Sequence, residues 1–426
     1  MSESANTATQ QQAERNFRWN FTVNALDISF YSLAMNMVSQ ATILPLLVSK
    51  LTTSKVAIGI IPAIFSIGYL LPQLLTAGHA ETLRRKKPFL VPWSLVGERL
   101  PYPMIAVSLI LFADKAPLLA LGLLYLFLLV ATGTGGALTP AWYDMIAKVI
   151  PLNRRGIWMG VGNGSGAFLA IAGAALAGWF LACYSFPMQY VMCFAVASVF
   201  QLISWGCLTL NREPDSQVIK EHSGLRNYFK RLPEVLRRDR NYVLFLVGRS
   251  VASLGTMVSG FFIVYGSERF GLSGEEVGWL TAVLVGSQAV MNVVLGMVGD
   301  RLGHKLVLVI SAAAMGLAAL AAIIFQSPAA LWVIFLLLGT AIAADSVSGF
   351  SIIIEFCAPE DRPTYIGLTN TLLAPARTLA PILGGWLAAS LGYSWLFGAA
   401  LGASALGAVM LMTWVKEPRH LTLFQG

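Results

Sequence analysis

Apolar residues run along this 426-residue chain in long stretches separated by short polar turns. A helix crossing the hydrocarbon core of a bilayer takes about 20 predominantly apolar residues. Twelve segments qualify: 21–48, 56–77, 88–112, 117–149, 157–182, 187–210, 242–266, 275–298, 306–326, 328–357, 364–390 and 394–415. The pattern predicts an all-α membrane protein with twelve transmembrane helices. The longest polar stretch divides them six and six. The expected organisation is an N-terminal tail (1–20), a six-helix bundle (21–210), a linker (211–241), a second six-helix bundle (242–415) and a C-terminal tail (416–426). Within the linker, Leu225, Tyr228, Phe229, Leu232 and Leu236 recur at helical spacing among Arg226, Lys230, Arg231, Arg237 and Arg238. That spacing fits either a short helix on an anionic membrane surface or a plain solvated linker interrupted by Pro233.

Two internal matches make the halves copies of one another. Gly296-Met-Val-Gly-Asp300-Arg301-Leu-Gly303-His304-Lys305 has a worn counterpart at Ala77-Gly-His-Ala-Glu81-Thr82-Leu83-Arg84-Arg85-Lys86, between spans 2 and 3. Arg155 and Gly160 after span 4 likewise parallel Arg362 and Gly367 after span 10. Six spans repeated in parallel give two pseudo-symmetric bundles, and transporters built this way bind substrate where the repeats meet.

Composition agrees with the pattern: 56% of residues are apolar and 12% charged, the mean hydropathy is +0.69, and a soluble domain carries about 25% charge. The formal charge of +8 is accounted for by its distribution. With both termini on one side, that side holds 22 of the 29 Lys and Arg residues, the other holds Lys50, Lys55, Lys115 and Arg269, and Arg99, Arg249 and Arg377 fall inside spans. The positive-inside rule then puts both termini in the cytoplasm of a multi-pass protein of the inner (plasma) membrane. The basicity signals orientation and argues against a nucleic-acid partner. Residues 1–17 are polar and lack the basic start and short apolar core of a cleavable signal. The four cysteines show no metal spacing, and no metal or cofactor is expected.

Ions inside the spans are the sharpest chemical clue: Asp27, Glu98, Arg99, Asp144, Arg249, Asp345 and Arg377. Each costs roughly 2.5–3.5 kcal/mol at the bilayer centre, and all of them facing lipid would cost on the order of 20 kcal/mol. They must therefore face one another or water. Glu98 and Arg99 read as a buried ion pair, and Asp345 and Arg377 as mid-span partners on neighbouring helices. The acids outnumber the arginines by one, and a buried carboxyl without a cation tends to take up a proton, as a proton-coupling site requires. Arg249 and Arg377 fit two roles, binding an anionic substrate or neutralising acids.

The 296–305 segment, twelve spans and a basic central linker resemble the major facilitator superfamily. Its signature after helices 2 and 8 runs Gly-x-x-x-Asp-Arg-x-Gly-Arg/Lys-Arg/Lys. Gly296, Asp300, Arg301, Gly303 and Lys305 match in place, with His304 at the first basic position; the N-terminal copy departs at Ala77, Thr82 and Arg84. Ala380-Pro381-Ile-Leu-Gly384-Gly385 looks like an element that antiporters of the family carry in helix 5, here found in span 11. The resemblance implies that Asp300 latches against the start of span 5 and Glu81 against the start of span 11. The simpler reading is a solvated charged turn. It also implies a cavity lined by spans 1, 4, 7 and 10, with Asp27, Asp144, Arg249 and Asp345 as its charged groups and Asn24, Tyr31, Asn36, Gln40, Trp142, Tyr143 and Ser346 among the uncharged ones. In span 5 the pairs Gly160/Gly164 and Gly162/Gly166 form overlapping GxxxG motifs, which suit sliding helices and static packing alike.

Together these features predict a monomeric secondary transporter of a small solute, working by alternating access in the lipid bilayer. Protons are the candidate coupling ion, and the cargo is a drug-like amphipath or an organic anion. A receptor or scaffold on the same fold is the alternative. An enzyme is not expected, since no zinc-spaced His pair, nucleophile elbow or Walker loop occurs.

Overall fold

The computed structural model describes residues 14–151, 154–215, 239–357 and 362–418; for Leu74, Ala77, Ala80, Glu81, Gly156 and residues 362–364 it describes the backbone alone. The polar start 1–13, the amphipathic stretch 225–238, the turn at 358–361 and the side chain of Glu81 lie outside the described residues.

All regular structure among the described residues is helical. The elements are α1 (Phe17–Met37), α2 (Ile43–Leu51), α3 (Lys55–Thr82) and α4 (Lys87–Trp93), which runs through a π-helical turn (Ser94–Arg99) into α5 (Pro101–Phe112). Then come α6 (Pro117–Val149), α7 (Arg155–Cys183), α8 (Met188–Thr209) and α9 (Arg240–Leu254), which a 3-10 turn (Gly255–Val258) links to α10 (Phe261–Phe270). The rest are α11 (Gly274–Leu302), α12 (His304–Ile324), α13 (Ala330–Glu355), α14 (Arg362–Ser390) and α15 (Tyr393–Thr413). Among the described residues, eleven helical spans are long and apolar enough to cross a membrane. The first expected span is not one of them. Residues 38–42 break it into α1 and α2, and Arg18, Asn20, Asn24 and Asp27 lower the apolarity of α1.

The chain forms two compact units, 1–39 with 67–225 and 40–66 with 226–426. In the first unit α1 packs between α7 and α8. A Cβ on Gly162, Gly166 or Gly173 would meet Ile28, Ser32 or the Leu33 backbone at 3.2, 3.0 and 2.3 Å, whereas one on Gly160 or Gly164 would meet nothing within 4 Å. Among the described residues, the Gly162/Gly166 pair therefore serves as a helix contact and the Gly160/Gly164 pair does not.

Helices α3 and α6 cross at Gly68 and Gly136. A Cβ on Gly136 would sit 2.4 Å from the Gly68 carbonyl oxygen and 2.7 Å from that of Tyr69. Both obstacles are backbone, so Gly136→Ala is expected to cost about 1–3 kcal/mol. Thermal unfolding in detergent would show it, with Gly122→Ala, where a Cβ meets nothing within 4 Å, as the neutral control.

In the second unit α12 packs against α13 and α15, and α11 against α13. The Gly384-Gly385 pair has a packing explanation here. A Cβ on Gly384 would lie 2.7 Å from the Met257 carbonyl oxygen, and one on Gly385 2.6 Å from that of Lys55. Backbones approach this closely only where side chains are absent.

Candidate functional site

In the first unit the chemistry starts from a local irregularity. Pro101 lacks the N–H that an α-helix would direct to Gly97, and its ring crowds that carbonyl. The ladder just before it is wound wider, with Leu100 N–H donating to the Leu95 carbonyl at 2.9 Å. A π-helical turn brings sequence neighbours closer to one face and is frequent at functional sites. Here it turns both Glu98 and Arg99 inward, their side chains 15% and 5% exposed.

They meet α1 and α8 in a polar cluster. Arg99 Nη1 donates to Glu98 Oε2. Ser204 Oγ donates to Asp27 Oδ1 at 2.5 Å, and Arg99 Nη2 lies 3.4 Å from the same hydroxyl. The Tyr31 hydroxyl donates to Glu98 Oε1 at 3.2 Å and lies 3.3 Å from that of Tyr69. A cavity of about 280 Å³ opens on this cluster, lined by Asp27, Tyr31, Tyr69, Glu98, Arg99, Trp142 and Tyr143 among others. That is close to the lower end of small-ligand sites, roughly 300–1,000 Å³. Glu98 pairs with Arg99 directly and Asp27 reaches it through Ser204, so two carboxylates gather around one guanidinium. Gly135 leaves the room it needs: a Cβ there would sit 3.2 Å from Tyr69 and 3.3 Å from Glu98.

The second unit holds the reverse arrangement. Asp345 on α13 accepts from Arg249 Nη2 of α9 at 2.7 Å and from Arg377 Nη2 of α14 at 3.0 Å. Arg249 is 4% exposed, and its buried Nε has no hydrogen-bond partner among the described residues. The Asp345 side chain is 44% exposed. One turn along α13, a Cβ on Gly349 would lie 2.6 Å from Arg249 Nη2, so this glycine clears the path of the guanidinium. One carboxylate here serves two guanidiniums.

A helical bundle with ions gathered in each unit fits the overall pattern of this sequence, which matches the Major Facilitator Superfamily over residues 26–273 and 245–425. The chain belongs to that superfamily. Solved structures of similar fold include a point mutant of the nucleoside transporter NupG (14% identity, 93% of this chain and all of that one, TM-score 0.70). Others are a D-xylose-proton symporter (14%, 95% and 99%, TM-score 0.68) and the human organic anion transporter MFSD10 (16%, 92% and 99%, TM-score 0.59). In sequence, 181 residues are 27% identical to YaaU of Escherichia coli (strain K12), described as a putative metabolite transport protein; the match spans 42% of this chain and 38% of that protein.

In this facilitator the remaining candidates have other surroundings. Asp144, near the end of α6, has its carboxylate taken by Lys86 at 3.1 Å and Lys148 at 3.3 Å. Asn36 Nδ2 donates to the Ser32 carbonyl within α1, and Gln40 is exposed in the break after α1. Gly303 adopts φ +98°, a region that favours glycine, and so makes the sharp turn from α11 to α12. His304 is buried, its Nδ1 3.0 Å from Ser348 Oγ. Lys305 Nζ donates to the carbonyls of Met412 and Val415 at the end of α15. Asp300 and Arg301 are exposed at the end of α11.

A repeated clamp has no counterpart among the residues that the sequence singles out. After α8, Asn20 exchanges hydrogen bonds with the backbone of Arg212 (2.9 and 3.2 Å); after α15, Asn241 does the same with Lys416 (2.8 and 3.0 Å). Each clamp residue is followed by Glu-Pro, so Arg212-Glu213-Pro214 and Lys416-Glu417-Pro418 were a legible repeat. Glu213, 1% exposed, accepts the backbone N–H of Lys86 and Lys87 at 2.8–2.9 Å and the Lys148 ammonium at 3.3 Å. Removing it takes the acceptor from two N–H groups and leaves Lys148 with Asp144 as its remaining carboxylate. Glu213→Ala is therefore expected to cost about 1–3 kcal/mol, with Glu213→Gln losing less in the same melting assay because its amide oxygen still accepts.

Proposed function

We propose that this facilitator is a proton-coupled secondary transporter of a small organic solute, working by alternating access. Both termini face the cytoplasm across the inner (plasma) membrane. The carrying observation is the 280 Å³ cavity on which Asp27, Glu98 and Arg99 open together. Two acids sharing one guanidinium in a membrane interior leave room for one proton, and tyrosine and tryptophan rings beside them give the cavity an amphipathic lining. In the second unit, a proton on Asp345 would leave Arg249 and Arg377 uncompensated, which favours binding an organic anion. By linkage, anion and proton then promote each other's binding at that triad. Similar fold in a proton symporter and an organic anion transporter is compatible with this reading.

A thermal-stability screen of the purified protein against organic anions, amines, sugars and nucleosides supplies the substrate. Its flux into proteoliposomes is expected to follow an imposed pH gradient, and Asp27→Asn and Asp345→Asn are each expected to remove that dependence. Wild-type flux indifferent to the gradient would overturn proton coupling. Binding without flux would overturn transport and leave a receptor.

A further inference from the structure

The clamp end of the first unit carries a second cavity, of about 520 Å³. Its polar wall is Arg85, Lys87, Asn211, Arg212 and Glu213, and its apolar wall is Pro88, Val91 and Pro92. The carboxylate in that wall and the one beside it are already engaged. Glu213 is buried on the Lys86 and Lys87 N–H groups and the Lys148 ammonium, and Asp215 pairs with Arg85 at the surface. Lys87 Nζ instead donates to the neutral Asn211 carbonyl at 2.9 Å. The Arg212 guanidinium lies 4.8 Å over the Trp19 ring, with Nη1 3.3 Å from the Asn16 amide oxygen. Two cations thus face the cavity with neutral partners. The network of Arg85, Lys86, Lys87, Lys148 and Arg212 against Asp144, Glu213 and Asp215 stays positive.

The apolar wall continues along the same rod as exposed Trp93, Val96 and Leu100. A tryptophan at that place is typical of the membrane–water boundary. A soluble anion would engage the cations and leave the prolines and Val91 wet. An amphipathic anion satisfies both walls.

We propose that this cavity binds the headgroup of an anionic phospholipid, its phosphate on Lys87 and Arg212 and an acyl chain along Pro92, Val96 and Leu100. Basic pockets between transmembrane helices on the cytoplasmic side take such headgroups. Assignment to the inner leaflet rests on the orientation proposed above; headgroup binding does not.

The test uses the full chain in phosphatidylcholine nanodiscs with and without phosphatidylglycerol, which report binding at either face. Phosphatidylglycerol is expected to raise the Tm of the wild type and to be retained in native mass spectrometry. Lys87→Gln/Arg212→Gln should lose both effects. The basic linker is the competing source of attraction, so a variant neutralising Arg226, Lys230, Arg231, Arg237 and Arg238 should keep them. If the linker variant loses the response and the cavity variant keeps it, the proposal falls. It also falls if glycerol phosphate alone reproduces the shift, which would make this a soluble-phosphate site. Should the double variant melt early in phosphatidylcholine alone, Arg212→Gln decides. Asn20 holds the Arg212 backbone, so that fold contact survives, and an undiminished phosphatidylglycerol response overturns the assignment.

Discussion

Asp345→Ala is expected to be among the most destabilising single substitutions in the second unit. It leaves Arg249, 4% exposed, beside Arg377 with no carboxylate between them. Breaking a buried ion pair from one side costs about 3–5 kcal/mol. The lower end applies here, because the Asp345 side chain is 44% exposed. Replacing buried charges with apolar groups of similar volume is often neutral. Asp345→Ala/Arg249→Met should therefore recover most of what Asp345→Ala loses. Thermal unfolding of the single and double variants in detergent reads the cycle directly. A double variant no better than Asp345→Ala would mean that the cost lies in packing, not in stranded charge.

Arg99→Met should be of similar size in the first unit. It leaves Asp27 and Glu98 buried in one cluster without their shared guanidinium, again about 3–5 kcal/mol. The sign with pH follows from the charges. Protonating either acid removes the repulsion, so the deficit relative to wild type should be largest at alkaline pH and shrink as the pH falls. Arg99→Lys keeps the charge but loses the planar fork that reaches both Glu98 and Ser204, and should fall between the two. Melting curves of the three proteins across pH test this; a deficit that does not change with pH would show that the arginine acts by its bulk.

The helices were legible because period and length say most of what a bilayer demands of a chain. The break at 38–42 was not, since Gln40, Ala41 and Thr42 carry no glycine or proline to punctuate the apolar run. In the sites, charge was the readable tag. Asp345 and Arg377 announce themselves as mid-span ions, and the structure puts 3.0 Å between them. Ser204, which holds Asp27, has no such tag: a serine in an apolar helix looks like any small residue. Asp144 was readable as an ion with Lys148 four residues on, but not as a partner of Lys86, which reaches it from outside its own helix. Gly135 and Gly349 were equally silent, since the need for an absent side chain appears only when the neighbouring arginine or glutamate is in place.

The paired clamps bear on how the protein is made. Asn20 and the N–H groups of Lys86 and Lys87 leave the ribosome long before Arg212 and Glu213, at about 5–20 residues per second. Until then they have only water or lipid headgroups for partners. Each clamp closes with the residues that follow α8 or α15, so a nascent chain halted before Glu213 should remain open at that end and be an early target for membrane proteases.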